Sequence, residues 1–369
     1  MRDYVEIGMG REARRTWQLD DVSIVPSRRT RSSKDVDTTW NIDAYSFDIP
    51  VANHPTDALA GVEFVKEMHA QGGLGVINAE GLIGRHEDLD AAVRKVIEAK
   101  TAGGNATKVL QELHAAPIDL GLLTERIQEI RDSGATVAVR VSPQRARELA
   151  PDVVKAGTEL LFIQGTIISA EHVASDGDPI NLKEFIGSLE VPVIAGGVSD
   201  ASTAMHLMRT GAAGIIIGGG FNSSGPALGI ETPMATAIAD AAAVRREYMD
   251  ETGGRYVHVI ADGDIYTSGH VAKAIACGAD AVMLGYPLAA AEEAAAAGYY
   301  WQSSAAHPRF PRGEVEQLFE EKVSLEVLLK GPATDPWGGH NIIGGLSRAM
   351  AKCGYTDLKS FQKVDLTVN

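Results

Sequence analysis

Short apolar segments alternate along the chain with longer segments whose apolar residues recur every three or four positions. Most of the short segments are apolar at every position, which is typical of strands that are covered on both faces. The longer segments have the period of amphipathic helices. We therefore predict eight strands, at 49–53, 74–78, 136–141, 160–164, 191–195, 214–218, 258–261 and 281–284, and helices at 61–71, 88–99, 120–133, 144–156, 201–209, 232–251 and 268–277.

This order of elements predicts the fold. Eight strand–helix units with right-handed crossovers close into a TIM (β/α)8 barrel, whose active site lies at the carboxyl ends of the strands. A long open doubly wound sheet is the alternative, but no Gly-x-Gly-x-x-Gly sequence follows the first strand, which disfavours a Rossmann half. Helix 232–251 has the clearest end signals, with Thr232 as N-cap, Pro233 at the first helical position and Gly253-Gly254 as the stop.

Two regions lie outside the alternation of strands and helices. Residues 1–48 precede the first strand, and we predict that they cover the bottom of the barrel and add an N-terminal arm. Residues 298–345 are rich in Gly, Pro, His and aromatic residues. A long irregular segment of this kind, beside the strand ends, is predicted to be a flap or lid. No internal domain boundary is evident, so we predict a single barrel domain over 1–369.

Composition narrows the class of protein. The net charge is −15 without an offsetting basic stripe, which argues against nucleic-acid binding, and the basic stretch at 28–31 is best interpreted as a solvated loop. No run approaches the ~20 apolar residues of a membrane span, and the first 20 residues lack the pattern of a secretory signal. Two cysteines suggest a reducing compartment. We expect a cytoplasmic protein, whose backbone N–H groups can still bind an anionic nucleotide.

Two neighbouring strand ends carry candidate phosphate-binding residues. Asp262-Gly263 follows the seventh predicted strand and Gly285 follows the eighth. In a parallel α/β barrel, two such ends side by side usually hold a phosphate.

These residues belong to a longer resemblance. Segments 19–26, 49–57, 72–78, 194–198, 258–285 and 344–350 resemble, in order and spacing, the inosine-5′-monophosphate (IMP) dehydrogenase and guanosine-5′-monophosphate (GMP) reductase family. The chain is most similar to the IMP dehydrogenase-related subgroup that lacks the regulatory CBS pair. That pair would be inserted near residues 100–118, where this chain has only a short connection.

The resemblance implies a nucleotide site. Asp262 would accept hydrogen bonds from both ribose hydroxyls, which suits a carboxylate, although an Asp here could instead cap the following turn. Backbone N–H groups at Gly263 and Gly285 would bind the phosphate. The remaining implied nucleotide-binding residues are Gly218, Gly219 and Gly220, as a mobile loop under the base, together with Asn53, His54, Tyr286, Arg312 and Gly313.

Several of these positions have a second interpretation. His54 stands at a strand end, but the adjacent Pro55 suggests a loop-shaping role. Tyr286 could donate a hydrogen bond to a ligand or could fill the phosphate pocket. Arg312-Gly313 resembles a remnant of the family's purine-reading segment, or it is a surface loop. For the cofactor NAD, the resemblance implies proximity of Gln164, Gly196 and Gly197.

The catalytic position departs from the family. The family's cysteine attacks C2 of the purine to form a covalent intermediate, and Asn222 occupies that position here. A neutral amide cannot replace a thiolate. Ser223 is adjacent, but no base beside it can be identified as activating a substitute nucleophile. Cys277 is expected to be a buried core residue, and no histidine pair has metal-ligand spacing, so no metal site is predicted.

Two functions of different classes remain. One is an NAD-dependent oxidoreductase that converts IMP and NAD to xanthosine monophosphate (XMP) and NADH, with potassium as a candidate cation and a homotetramer as the assembly that the resemblance implies. A GMP reductase would need the same cysteine. The alternative is a catalytically silent paralogue that binds a purine nucleotide or acts as a regulator.

Overall fold

The computed structural model describes residues 3–168 and 180–369, so the first two residues of the expected arm lie outside it. One sheet of eight parallel strands forms the centre, and from the second strand to the eighth each pairs with the next along the chain. The last strand pairs back with the first, with Val282 opposite Val51. The strands are β1 (Val51–Asn53), β2 (Val76–Asn78), β3 (Ala138–Val141), β4 (Leu160–Gln164), β5 (Val193–Val198), β6 (Gly214–Ile217), β7 (His258–Ala261) and β8 (Ala281–Leu284).

The sheet closes between β1 and β2. Ala52 forms a parallel bridge to Leu74, and the Leu74 N–H donates to the Val51 carbonyl at 2.9 Å. The Asn53 amide completes this seam: its Oδ1 accepts from the Val76 N–H at 2.7 Å and its Nδ2 donates to the Val76 carbonyl at 3.0 Å. The TIM barrel is therefore confirmed, and the open sheet is wrong. The amide of Asn53, expected to bind nucleotide, is instead used to close the barrel.

Helices cover the outside of the sheet, and those predicted from the sequence are found within two residues of their expected ends. Between α2 and α4, where the CBS pair would be inserted, the chain forms one nine-residue helix and no CBS domain. No helix in the described residues is long and apolar enough to cross a membrane. The helices are α1 (Val62–Ala70), α2 (Leu89–Thr101), α3 (Ala106–His114), α4 (Leu120–Asp132), α5 (Ala146–Ala156), α6 (Leu182–Gly187), α7 (Ala201–Arg209), α8 (Ser224–Leu228), α9 (Met234–Thr252), α10 (Ser268–Cys277), α11 (Leu325–Lys330), α12 (Ile342–Lys352) and α13 (Leu358–Phe361).

The start of α9 differs from its prediction by one residue. Pro233 is the N-cap and offers no side-chain acceptor, so Thr232 does not cap the helix. The acceptor comes from the N-terminal segment instead, because the Met234 N–H donates to Gln18 Oε1 at 3.0 Å. At the other end Gly253 adopts the left-handed conformation (φ 72°), as the glycine pair predicted.

The two ends of the barrel have opposite character. A hairpin of Trp40–Ile42 and Tyr45–Phe47 lies at the amino ends of the strands, and its buried side chains join the apolar barrel interior. Polar and charged side chains gather at the carboxyl ends, which position the site described next.

Candidate functional site

A cavity of about 780 Å³ lies above the carboxyl ends of β1 to β4, within the range of small-molecule sites. Its remaining walls are the segment from Gly219 to Leu228 and residues 302–312, the first part of the expected lid region. The lining is rich in cationic side chains although the chain carries a net charge of −15. Its charged and histidine residues are His54, Glu80, Arg85, His114, Arg140, Arg145, His307 and Arg312.

Arg140 forms the floor of this cavity from within β3. Its Nε and Nη2 donate to the Gln164 carbonyl at 3.0 and 2.6 Å, and its Nη1 lies 3.3 Å from Glu80 Oε2. Glu80 also accepts from the N–H and the hydroxyl of Ser142. Burial lowers the pKa of Arg140, and the Glu80 charge opposes that effect. The pair therefore neutralises itself, and Arg140 acts as a structural support.

Arg85 is placed differently. Its Nε donates to the Glu80 carbonyl at 3.1 Å and its Nη1 to the Ala116 carbonyl. Within the described ranges no carboxylate reaches ion-pair distance of it, whereas Arg145 is paired with Glu148 at 2.6 Å. Burial, followed by the Arg145 charge, lowers the pKa of Arg85. The charges of Asp57 and Glu80 act in the opposite direction. Arg85 thus brings to the cavity a positive charge without a direct ion-pair partner in the described ranges, which favours an anionic ligand.

A buried constellation connects three strand ends at the side of the cavity. His54 Nδ1 lies 2.8 Å from Asp262 Oδ2, and Gln164 Nε2 donates to the same oxygen at 2.6 Å. Asp262 is 1% exposed, Gln164 2% and His54 6%. Asp262, which the resemblance assigns to the ribose, therefore already accepts two hydrogen bonds from the protein at Oδ2.

Two buried polar atoms in this region lack a hydrogen-bond partner among the described residues. They are Gln164 Oε1 and Ser224 Oγ, and both residues line the 780 Å³ cavity. A third such atom of a lining residue, His114 Nε2, lies 3.0 Å from the Asp57 carboxylate and so has an ionic partner. Ser223, the candidate suggested by the sequence, lines none of the described cavities. A ligand in the large cavity would therefore meet Ser224 rather than Ser223.

The loop after β6 is packed too closely for side chains. A Cβ at Gly218 would overlap the Asp262 carbonyl oxygen, and one at Gly219 would overlap the Thr166 carbonyl oxygen. Gln302 Nε2 donates to the Gly219 carbonyl at 3.1 Å, and the Gly220 N–H donates to the Asp262 carbonyl at 2.9 Å. The loop expected to be mobile is therefore held on both sides.

Asn222 braces the same loop. Its Nδ2 lies 3.2 Å from the Gly219 carbonyl oxygen and donates to the Gly220 carbonyl at 2.8 Å, while its Oδ1 accepts from the Ser224 N–H at 2.8 Å. Neither cysteine compensates for the missing thiol, because Cys277 lies buried in α10 and Cys353 at the end of α12. Burial raises the pKa of Cys277 to about 11. The covalent route of the family therefore has no thiolate at this site.

The expected phosphate site between Gly263 and Gly285 is closed. The space there is about 10 Å³, and a Cβ at Gly285 would overlap the Tyr300 hydroxyl. Tyr286 fills this end of the barrel. Its ring centroid lies 5.6 to 6.2 Å from those of four other aromatic residues, namely Phe221, Tyr266, Tyr300 and Phe319. A phosphate held by Gly263 and Gly285 together is therefore not supported, although Gly263 also lines the smaller cavity described next. Of the two interpretations of Tyr286, the pocket-filling one fits.

A smaller cavity of about 280 Å³ lies beside the glycine loop and shares Thr166, Gly219 and Ser224 with the large one. Its charged residues are acidic: Glu231, Asp262 and Asp264. Such a lining disfavours a phosphate. Among the described residues no group of three or more His, Cys, Asp or Glu side chains could hold a metal ion.

The three residues that the resemblance implies for NAD binding do not line one common cavity. Gln164 lines the large cavity, but Gly196 and Gly197 are used in packing. The Gly196 carbonyl accepts from the Gly165 N–H at 2.9 Å, and the Gly197 N–H donates to the Gly165 carbonyl at 3.0 Å. Only Gly197 of the two borders a described cavity, and that is the smaller one.

Arg312 lies at the rim of the large cavity. Its Cζ lies 3.3 Å from the centroid of the Phe310 ring, and its Nη1 donates to the Phe310 carbonyl at 3.1 Å. Gly313 lies next to Gln302. The structure thus brings Arg312 to the same cavity as His54 and Gln164.

The comparison with known proteins agrees with this architecture. Residues 16–368 match the model of the IMP dehydrogenase/GMP reductase domain. The chain belongs to the IMP dehydrogenase/GMP reductase family. It is 62% identical to an uncharacterized oxidoreductase of Mycolicibacterium smegmatis and 60% identical to one of Mycobacterium tuberculosis, over 99% of both chains in each case.

A solved structure extends the likeness to three dimensions. The crystal structure of an IMP dehydrogenase/GMP reductase-like protein from Corynebacterium glutamicum is 69% identical, with a TM-score of 0.96 over 100% of this chain and 98% of that one. Family membership and fold are therefore firm, whereas the similar mycobacterial proteins carry no assigned reaction.

Sequence reasoning missed most of the large cavity's polar residues. Arg140 left a visible signal, since it is a charge inside an otherwise apolar strand segment. Glu80 and Arg85 follow β2 without any motif, and Gln302 gave no signal at all. These residues come together only through the barrel closure and the segment that covers it.

Proposed function

We propose that the protein binds a phosphate-bearing purine nucleotide in the arginine-lined cavity and does not carry out the thiol-dependent IMP dehydrogenase reaction. One observation carries the proposal. The cavity is large and cationic, while the position of the family's nucleophile holds an Asn222 amide whose atoms are all bound to backbone. Binding is thereby supported in a site that lacks the covalent step.

The proposed position of the phosphate follows from the positive charge of Arg85. Arg85 has no described carboxylate partner, and its half-buried guanidinium is less hydrated than a surface one, so it attracts an anion strongly. Apolar lining residues, among them Pro143, Ile167 and Leu228, offer a surface for the base. We therefore place the phosphate toward β2 and β3, away from the aromatic cluster around Tyr286.

A second candidate function is an NAD-dependent oxidoreductase that works without a covalent intermediate. The His54–Asp262 pair favours it, because a carboxylate that orients an imidazole is a common acid–base arrangement. The cavity also fits the cofactor's nicotinamide end: Gln164 Oε1 is a buried acceptor without a described partner, and a carboxamide supplies an N–H donor. NAD, when bound, would accept a hydride. His54 would hold or accept a proton, and Arg85 would bind phosphate oxygens.

Calorimetric titration separates these functions. IMP, GMP, AMP and NAD are titrated in a potassium buffer, and NADH is then followed with IMP and NAD together. We expect saturable binding of at least one purine nucleotide and a rate of NADH formation equal to that without protein. NADH above that control would establish the second candidate. No binding by any of the four compounds would overturn both functions.

A further inference from the structure

The His54–Asp262–Gln164 constellation fixes which atoms of the two partner side chains are left as hydrogen-bond acceptors. An ionised carboxylate only accepts hydrogen bonds. Both partners of Asp262 Oδ2 must therefore donate to it, His54 through Nδ1–H and Gln164 through Nε2–H. Neither assignment depends on where a ligand binds.

These two hydrogen bonds also determine whether the far atom of each side chain is a donor or an acceptor. The Gln164 amide cannot flip without pointing its oxygen at a carboxylate, so Oε1 is the atom left without a partner among the residues described. A neutral imidazole with its proton on Nδ1 carries a lone pair on Nε2. His54 and Gln164 both line the 780 Å³ cavity. Asp262 thus turns two amphoteric side chains into two hydrogen-bond acceptors.

We propose that this acceptor pair, His54 Nε2 and Gln164 Oε1, selects a ligand edge that carries two neighbouring N–H donors. The proposal rests on the proposed function, since it names the part of a nucleotide that this side of the cavity recognises. A buried acceptor without a donor costs free energy, so a ligand that supplies N–H groups gains relative to one that does not. A ligand edge that carries only oxygen acceptors is repelled by the two lone pairs and by the nearby negative charge of Asp262, so it binds more weakly.

Two kinds of nucleotide present such an edge. A 2-amino-6-oxopurine has an N1–H beside an exocyclic amino group, and a nicotinamide has a carboxamide NH2. Each has a near-identical analogue without the donor. IMP lacks the amino group of GMP, and nicotinic acid mononucleotide has a carboxylate in place of the carboxamide of nicotinamide mononucleotide.

Titration of the full chain with these four mononucleotides tests the proposal. We expect at least one donor-bearing compound to bind roughly ten- to hundredfold more tightly than its analogue. Gln164→Leu should reduce that ratio to near one, because it removes the acceptor. The matched control is Gln317→Leu, an exposed amide in a short strand that is not among the lining residues, which should leave the ratio unchanged.

The tautomer of His54 is tested without a ligand. Nitrogen-15 NMR of the folded protein, with the His54 signals assigned by their loss in His54→Gln, should show the proton on Nδ1. His307 provides an internal reference for the opposite tautomer, because its Nδ1 accepts from the Phe310 N–H at 2.8 Å. A proton on His54 Nε2 overturns the proposal.

The titration outcomes separate this inference from the function on which it rests. Equal affinity within both pairs, with binding intact, overturns the acceptor pair and leaves nucleotide binding standing. Failure of all four mononucleotides to bind overturns the acceptor pair, and failure of AMP and NAD as well overturns nucleotide binding too. Preference for the donor-bearing compound that persists in Gln164→Leu also overturns the assignment.

Discussion

The two halves of the barrel mouth differ in a way that the family resemblance conceals. On the β1–β4 side the strand ends surround a cavity of about 780 Å³ lined by Arg85, Arg140 and Arg145. On the β7–β8 side the corresponding space is about 10 Å³, and Tyr286 occupies it with other aromatic rings. One half is open and basic, whereas the other is filled beside Gly285 and holds only the smaller, acidic cavity next to Asp262 and Asp264.

The filled half is where much of the recognisable family sequence lies. Asp262-Gly263 and Gly285 match the family, yet their surroundings leave no room for a phosphate. These motif residues have structural roles in this chain. Asp262 binds His54 and Gln164, and the glycines allow close approach of backbone and rings. Function has to be argued from the space that the side chains leave.

The largest expected effect comes from the floor of the open half. Arg140→Met removes the cation beside Glu80, whose carboxylate is then largely buried without a charged partner. We expect a loss of about 3–5 kcal/mol in the free energy of unfolding, measured by urea denaturation. Glu80→Gln combined with Arg140→Met removes both charges and should recover much of that loss. A single-variant loss below about 1 kcal/mol would show that solvent already screens this pair.

Tyr286→Ala tests the filled half. Loss of the ring at the centre of the aromatic cluster should lower the free energy of unfolding by about 2–3 kcal/mol. Nucleotide affinity should change less than about twofold, since the proposed phosphate position is in the other half and Asp264 still disfavours an anion here. A strong gain in IMP affinity would instead place the phosphate at the β7–β8 ends and contradict the comparison.

The barrel itself was predictable because its signal is local. Each strand is a short apolar run bounded by turn residues, and β4, β7 and β8 begin and end where the sequence indicates. The caps were less predictable, as α9 shows: its acceptor is Gln18, more than two hundred residues earlier. No local pattern carries that information.

The site was predicted only in part, for the same reason. Asp262, His54, Gln164 and Arg312 were named from the sequence; the first three lie at strand ends and Arg312 at the rim of the large cavity. The contacts among them were not predicted, because the His54–Asp262 contact joins positions 208 residues apart. The aromatic cluster around Tyr286 depends on five rings from separate segments of the chain. Arg140 could have been singled out as a charge in a buried strand.

Arg85→Met tests whether the open half of the mouth binds the phosphate. The variant removes the guanidinium that has no described carboxylate partner, so we expect nucleotide affinity to fall about tenfold. The free energy of unfolding should fall by only about 1–2 kcal/mol, through the lost bonds to the Glu80 and Ala116 carbonyls. Arg131→Met, on the surface beside Asp132, is the control and should bind as the unmodified protein does. Unchanged affinity in Arg85→Met would contradict the proposed position of the phosphate near β2 and β3.

The smallest expected effect belongs to Asn222, the residue that the sequence resemblance proposes at the position of the family's nucleophile. Asn222→Cys restores a thiol, but the glycine loop loses its amide brace, at a cost of about 1 kcal/mol in the free energy of unfolding. With IMP, NAD and potassium we expect no NADH above the rate without protein. A thiol contributes to catalysis only when the purine's C2 lies against it, and the filled phosphate space prevents the family's binding pose. Asn222→Ser serves as the control for the lost amide. Measurable turnover in Asn222→Cys alone would mean that one substitution separates this chain from its active relatives, and that the difference between the two halves of the mouth does not determine activity.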